Sequence, residues 1–497
     1  MRDLYWILAL ALIAFGGSLG APFHLDDFAL AQDPAVTWPD GWIACFSPSQ
    51  TRPLTWLTFW ANFQLGGTNP TGYHAVNLLL HLANIALVWT VLRRLAPAAA
   101  ATIATVIFAL HPLQTEAVTY VFARATLLMT LFCLLSLRDW TIQRHGRAIA
   151  WFALALLAKE ECVTYPLVLA LLHLSISRDV RERKPIAAML ALSAVLGARV
   201  LWATAVTQGS GAGAQSGIAP LDYFSVQGAA ILRYLRLLFW PHGFSFESPL
   251  TVAAQWWAWL PIAISAYVAT RRFDKAREGF WWLSALLILA PSSSILPAMD
   301  LSADRRTYFA LAAMGAVIGL WWHRQSRWIA IGLGLALTAL STIQSQTWRD
   351  PKALWRQAIA EAPRKVRPHI QLARQLAPSE ALALLSEAQS FAPNDANLAS
   401  EKGRIQLESG NPQLALGEFG RALALAPDDA RMVNNRGVAL TRLGQTEVAK
   451  MDFERALRME PCFFDALWNL RRLGYAHQPD PRCRFTASQR RSLNESP

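Results

Sequence analysis

The amino-acid sequence predicts an all-α protein in two parts. The first is a polytopic membrane helical bundle of about 11 spans, built from successive long apolar runs. The second is a polar α-solenoid behind it. Three observations lead there. Of 497 residues, 54% are hydrophobic and only 16% charged, whereas soluble chains average about 25% charged. The depletion is confined to residues 1–347, where apolar runs follow one another. The polar remainder, 348–497, repeats its own pattern at a fixed interval.

The first apolar run, Leu4 to about Gly20, follows Arg2 and is read as a retained helix rather than a cleaved signal, because many further runs follow it. Residues 22–71 form a long external loop with Pro34, Pro39, Pro48 and Pro53. Within it, Leu54–Leu65 is Trp-rich and patterned like a helix lying in the membrane interface. Further spans are expected at 73–92, 98–115, 118–137, 148–158, 162–177, 186–206, 256–270, 279–298, 307–323 and 328–346. The stretch 226–241 carries Arg233 and Arg236, costly inside a bilayer, and is expected to be interfacial or re-entrant.

Basic residues orient such a bundle. One set of connections holds Arg2, Arg93, Arg94, Arg138, Arg144, Arg147, Arg178, Arg181, Arg183, Lys184, Arg271, Arg272, Lys275, Arg277, Arg324 and Arg327. The opposite set holds only Arg52, Arg124, Lys159, Arg233, Arg236, Arg305 and Arg306. About 16 against about 7 places the first set in the cytoplasm, with the N-terminus. Asp26, Asp27, Asp33, Asp40, Glu116, Glu160, Glu161, Glu247 and Asp304 fall on the opposite, outer face. The expected location is therefore the inner (cytoplasmic) membrane, with the C-terminal part on the periplasmic side.

The net charge of +12 does not indicate nucleic acid, since no basic run interleaves with aromatics as a strand-binding groove requires. Cys45, Cys133, Cys162, Cys462 and Cys483 make no CxxC pair, so no zinc or redox motif is present. Cys462 and Cys483 can pair if the tail lies outside the cytoplasm.

In the tail, Pro393, Pro427 and Pro461 are spaced by 427 − 393 = 34 and 461 − 427 = 34, and Gly410 and Gly444 keep the interval. Arg421-Ala422-Leu423 and Arg455-Ala456-Leu457 keep it too. A Gly after the first helix, Ala-Leu packing and a closing Pro are the tetratricopeptide pattern. The domains expected are 1–347, membrane; 348–480, repeats binding a protein or peptide partner; and 481–497, a disordered tail.

Chemistry, if present, is expected where polar clusters meet the outer ends of spans. Two adjacent carboxylates, Asp26 and Asp27, follow the first span; like charges held together can keep one proton near neutral pH, which suits a general base. His74, Asn77 and His81 share one helix face. His111-Pro112…Thr115-Glu116 closes the third span and Arg124 follows; Lys159-Glu160-Glu161 ends the fifth; Asp304-Arg305-Arg306 precedes the tenth. Interhelical hydrogen bonding is the competing explanation for the histidines, and ion pairing for Lys159/Glu160 and for Asp304 with Arg305 or Arg306.

Taken in order, Asp26-Asp27, Arg52-Pro53-Leu54, Tyr73-His74…Asn77…His81, His111-Pro112…Thr115-Glu116-Ala117-Val118, Arg124, Lys159-Glu160, Pro241…Phe244-Ser245 and the closing repeats resemble the transmembrane and tetratricopeptide repeat-containing O-mannosyltransferases. These are GT-C class membrane glycosyltransferases, and the likeness is to a bacterial relative. The resemblance implies a polyprenyl-phosphate-linked sugar as donor and an acceptor, protein hydroxyl or glycan, on the outer face. It also implies a catalytic Asp26 beside Asp27, with Arg52, His111, Glu116, Arg124, Lys159, Glu160, Arg305 and Arg306 as substrate-binding candidates. No cofactor is implied beyond the donor, and there is room for a divalent metal. The chain departs from the family at Thr126, where an acid is usual, and after Pro241, where an expected Asp is replaced by Phe246-Glu247.

The chemistry expected is inverting transfer: Asp26 takes the acceptor proton, and Arg124, Arg305 and Arg306 stabilise the departing lipid phosphate. The alternative is a non-catalytic membrane scaffold that displays its repeats to an envelope or polysaccharide assembly. An O-antigen-type ligase is disfavoured, because the long external loop comes first rather than late.

Overall fold

The computed structural model describes residues 2–206, 213–322 and 327–495. The fold is all-α and forms two compact units, Met1–Ala31 with Ala35–Asp350, and Gln32–Pro34 with Pro351–Pro497. Arg324 of the basic set lies outside the described residues, as does the side chain of Arg327.

The membrane unit consists of α1 (Arg2–Gly16), α2 (Pro53–Gly66), α3 (Pro70–Leu95), α4 (Ala98–Leu110), α5 (Thr115–Thr119), α6 (Arg124–Trp140), α7 (His145–Ala158), α8 (Tyr165–Leu172), α9 (Arg183–Val206), α10 (Pro220–Phe239), α11 (Trp259–Thr270), α12 (Glu278–Leu289), α13 (Ala310–Trp322) and α14 (Arg327–Thr347). Each expected apolar run carries a helix. Five are long and apolar enough to cross a bilayer: Arg2–Gly20, Pro70–Leu95, Val121–Trp140, Val180–Val206 and Trp328–Thr347. A sixth is bent by 49° between Ala98–Leu110 and Pro112–Thr119. The chain is a multi-pass membrane protein.

Several of the remaining expected spans are shorter than the apolar runs suggest, although α7 runs the full length expected of 148–158 and beyond. Pro112 disfavours helix at the residue before it, and His111 is extended (φ −73°, ψ 136°). Lys159 is extended at the charged Lys159-Glu160-Glu161 break (φ −159°, ψ 134°). α12 stops at Leu289, before Pro291 and three serines. The stretch expected to be interfacial is the buried helix α10, whose Arg233 pairs with Asp304 at 2.5 Å. A helix does form over the expected Leu54–Leu65, as α2, with Thr55 and Phe59 buried.

Two helices far apart in sequence, α4 and α13, touch through small residues. Gly315 and Gly319 on α13 stand a turn apart against Ala104 and Ala100 on α4, and a methyl group added at Gly319 would run into the Ala100 carbonyl. This is a small-xxx-small contact, which lets backbones approach where lipid gives no hydrophobic drive.

The second unit pairs α15 (Pro351–Glu361), α16 (Val366–Ala373), α17 (Pro378–Phe391), α18 (Ala396–Glu408), α19 (Pro412–Leu425), α20 (Ala430–Arg442), α21 (Thr446–Met459) and α22 (Phe464–Arg472) into tetratricopeptide-like repeats. Asp395 and Asp429 cap α18 and α20 through backbone N–H groups. Gly410 and Gly444 follow those helices in left-handed conformation (φ 81° and 74°). Gly403 and Gly437 receive the Phe419 and Phe453 rings, so close that an added Cβ would sit 2.7 and 2.6 Å from ring carbons. Cys462 and Cys483 are disulfide-bonded, Cα atoms 5.2 Å apart.

Residues 481–497, expected to be disordered, contain instead the helix α23 (Ala487–Glu495). Thr486 and Gln489 form a reciprocal capping box: Gln489 N–H donates to the Thr486 hydroxyl at 3.2 Å, and Thr486 N–H to Gln489 Oε1 at 2.8 Å.

Candidate active site

The Asp26-Asp27 turn leaves the first helix through Leu25, whose φ is +42°, an unusual angle for a residue with a side chain. That turn separates the two carboxylates. Asp27 points inward and is fully buried; its Oδ1 accepts the Phe122 N–H at 2.8 Å and its Oδ2 the His24 N–H at 3.1 Å. Burial pushes its carboxyl up to about 8 against those two hydrogen bonds, and the neighbouring Asp26 adds a smaller upward push. Asp26 is exposed and accepts the Tyr120 hydroxyl at 2.9 Å. The division of roles is clear in the geometry: Asp27 ties the loop to residue 122, and Asp26 faces open space.

Tyr120 is the hinge of the site. The Arg305 guanidinium lies 5.9 Å from its ring centre, while Phe246 and Trp348 pack on it at 5.0 and 6.1 Å. His24 fixes Trp348 in turn, its Nε2 donating to the Trp348 carbonyl at 2.8 Å. Burial lowers the His24 imidazole, so the ring is neutral at pH 7.

Around this centre the charged candidates form separate clusters. Arg305 binds Glu116 through both its guanidinium and its backbone N–H, and Asp300 at 3.1 Å. Arg52 grips Glu160 at 2.5 and 2.9 Å. Burial alone would raise the Glu160 carboxyl, but the Arg52 guanidinium holds it down at about 2. Lys159 bridges Glu161 at 2.8 Å and the Thr126 hydroxyl at 2.9 Å. Arg306 differs. Its guanidinium donates to the Tyr223 hydroxyl at 3.2 Å and to the Asp300 and Leu301 carbonyls at 2.7 and 3.4 Å. Among the described residues it makes no direct ion pair.

Two candidates are placed elsewhere in role. His111 is buried, its Nδ1 accepting Leu113 N–H and its Nε2 donating to the Leu238 carbonyl, so both nitrogens are engaged in helix packing. Arg124 is fully buried. It donates to Asn77 Oδ1 at 2.9 Å, to the Tyr73 carbonyl at 3.0 Å and to Thr58, and its guanidinium lies 4.6 Å from the Phe59 ring centre. His74 and His81 likewise bind the Ala21 and Ala109 carbonyls. The expected Asp304 pairing with Arg305 or Arg306 goes instead to Arg233, because Glu116 takes Arg305.

A cavity of about 410 Å³ opens beside Arg52 and Glu160, lined also by Ser47, Gln50, Thr55 and Trp56. Phe122, whose N–H holds Asp27, forms part of its wall. Among the described residues no three His, Cys, Asp or Glu side chains converge as metal ligands would.

Sequence reasoning did not single out Tyr120, Asp300, Tyr223 or Trp348. The position of Tyr120 four residues after Glu116, on the same turn-rich connection, was the available signal for it.

No family model matches the chain. The chain is similar in sequence to protein O-mannosyl-transferases. It is 32% identical to one from Caenorhabditis elegans over 155 residues, 28% of this chain and 22% of that protein. It is 31% identical to one from Homo sapiens over 237 residues, 39% of this chain and 28% of that protein. The matched stretches thus span less than a third of these relatives. Among solved structures, ArnT from Cupriavidus metallidurans bound to undecaprenyl phosphate overlaps 90% of this chain and 79% of its own, at TM-score 0.42 and 14% identity. That likeness is too slight to build on.

Proposed function

We propose that the chain is an inverting membrane glycosyltransferase that moves a sugar from a polyprenyl-phosphate donor to a hydroxyl acceptor. The sequence similarity to O-mannosyl-transferases supports the reaction class. The observation that carries the assignment of residues is the Asp26 carboxylate, exposed and oriented by the Tyr120 hydroxyl beside the Arg305 guanidinium.

In this mechanism Asp26 accepts the proton of the acceptor hydroxyl as its oxygen attacks the sugar C1. The C1–oxygen bond to the lipid phosphate breaks with its electron pair, and the phosphate leaves as an anion. Arg306 is the phosphate-binding group, because its charge is not cancelled by a carboxylate in contact with it. Arg305 is already neutralised by Glu116 and Asp300, and sets the position of Tyr120. Arg52 and Glu160 line the cavity and Lys159 braces the adjoining break through Glu161 and Thr126; His111, Glu116 and Arg124 hold the helices that carry the site. The repeats, on the periplasmic side of the inner membrane, bind the acceptor or a partner protein. The disulfide between Cys462 and Cys483 supports that side, since such bonds persist in oxidising compartments.

A second reading, a membrane scaffold without catalysis, is favoured by the extent to which Arg52, Arg305 and Lys159 are already paired within the protein. Transfer from polyprenyl-phosphate mannose by wild type and Asp26→Asn, at matched membrane levels, separates the two. Loss in the variant supports the enzyme with Asp26 as its base; equal transfer by both removes Asp26 from the mechanism, and no transfer by either supports the scaffold.

A further inference from the structure

We infer that the loops 173–184 and 271–278 together form a binding surface for anionic phospholipid headgroups. They come from distant parts of the sequence and are stapled by one side chain. The Ser175 hydroxyl donates to the Phe273 carbonyl at 2.7 Å and accepts the Ala276 N–H at 2.8 Å. Arg178 adds a contact to Asp274 at 3.4 Å.

Cations dominate the outward charge of this stapled surface, on which Asp274 is the exposed acid, paired with Arg178. Glu182 turns inward and is buried, accepting from Ser177 at 2.5 Å and contacting His173 at 2.8 Å. Asp179 is used by its own backbone, accepting the Arg181 N–H at 2.9 Å. Arg181, Arg183, Lys184, Arg271, Arg272 and Lys275 are all exposed, and among the described residues none of them makes an ion pair. Orientation of the bundle requires only that these residues be present in the loops. It does not require that two loops be joined, nor that Glu182 be turned inward and the exposed Asp274 be paired with Arg178.

The apolar part of the surface identifies the partner. Leu174, Ile176 and Val180 are 53%, 48% and 66% exposed within the first loop. On α11, Tyr267 and Val268 are 61% and 53% exposed directly before Arg271. Cations next to outward apolar side chains, at the ends of membrane helices, match a headgroup with its acyl chains rather than a free anion.

The test uses the full-length protein in nanodiscs of phosphatidylcholine with or without phosphatidylglycerol, followed by hydrogen–deuterium exchange of 173–184 and 271–278. Phosphatidylglycerol is expected to protect both loops together, with protection falling as salt rises. Arg271→Gln with Arg272→Gln should raise the phosphatidylglycerol needed for half-protection about 30-fold, on the scale of attraction per basic residue at an anionic surface. Arg271→Lys with Arg272→Lys should retain it. Equal protection in both bilayers overturns the inference, and so does equal protection by inorganic phosphate or by a soluble acidic polypeptide. If the Gln variant fails to insert, the wild-type comparison between bilayers and its salt dependence still decide.

Discussion

Tyr120 donates its hydroxyl to Asp26 at 2.9 Å across 94 residues of sequence. That single hydrogen bond fixes the direction in which the exposed carboxylate points. Asp26→Asn is expected to lower transfer by about 10²–10⁴ with donor affinity little changed. Tyr120→Phe, which frees the carboxylate to rotate, should lower the rate several-fold at unchanged donor KM. Steady-state transfer assays check both, and an unchanged rate for Asp26→Asn removes it from the mechanism.

Asp27 predicts a pH dependence of stability. Its folded-state value of about 8 lies above the ordinary 3.8, so the protonated form favours the fold. Its stabilising contribution is full below about 4 and is lost as pH rises through 8. Thermal unfolding in detergent should show melting temperature falling across that window. Asp27→Asn should flatten the fall, while costing about 1–3 kcal/mol from its mismatched hydrogen bonds to His24 and Phe122. An identical pH slope in the variant contradicts the assignment.

The two adjacent arginines should behave oppositely. Arg306→Ala is expected to weaken donor binding, read as a raised KM, with the fold intact. Arg305→Ala leaves Glu116 buried without its partner, and should destabilise by about 3 kcal/mol. Adding Glu116→Gln to Arg305→Ala should recover part of that loss. Equal effects of the two single variants on KM would contradict the division.

Topology is checked by a reporter fused after Pro497, expected to be active only outside the cytoplasm. Cys462 and Cys483 should then resist thiol labelling until reduced. A cytoplasmic result places the carboxylates on the wrong side for lipid-phosphate chemistry.

In the repeats, Gly437→Ala drives a methyl group against the Phe453 ring. A loss of about 1–3 kcal/mol is expected, seen as faster proteolysis of the repeats with the membrane helices unaffected. Gly420→Ala, with open space around it, should be silent.

Much of this architecture was legible because long apolar runs and a fixed repeat interval are one-dimensional signals. The 34-residue spacing of Gly410 and Gly444 places left-handed helix ends where the structure has them. Helix lengths were less legible: Pro112 and Pro291 cut apolar stretches, 98–115 and 279–298, that hydropathy alone reads as continuous, whereas the break at Lys159–Glu161 falls where the charges put it. The site was legible as a list of residues and not as partnerships. Which arginine meets which acid depends on helix rotation, so Glu116 with Arg305 and Asp304 with Arg233 could not be read from spacing. The box Thr486–Gln489 and the Gly315–Gly319 pair were both written in plain motifs and went unread.

The Gly315–Gly319 contact with Ala100 and Ala104 also bears on biosynthesis. α4 emerges from the ribosome early, yet the face it must bury belongs to α13, about two hundred residues later. During translation that face has only lipid or the insertion machinery against it. Slowed elongation or depletion of membrane insertase should therefore harm this protein more than one whose neighbouring helices pack in order of synthesis.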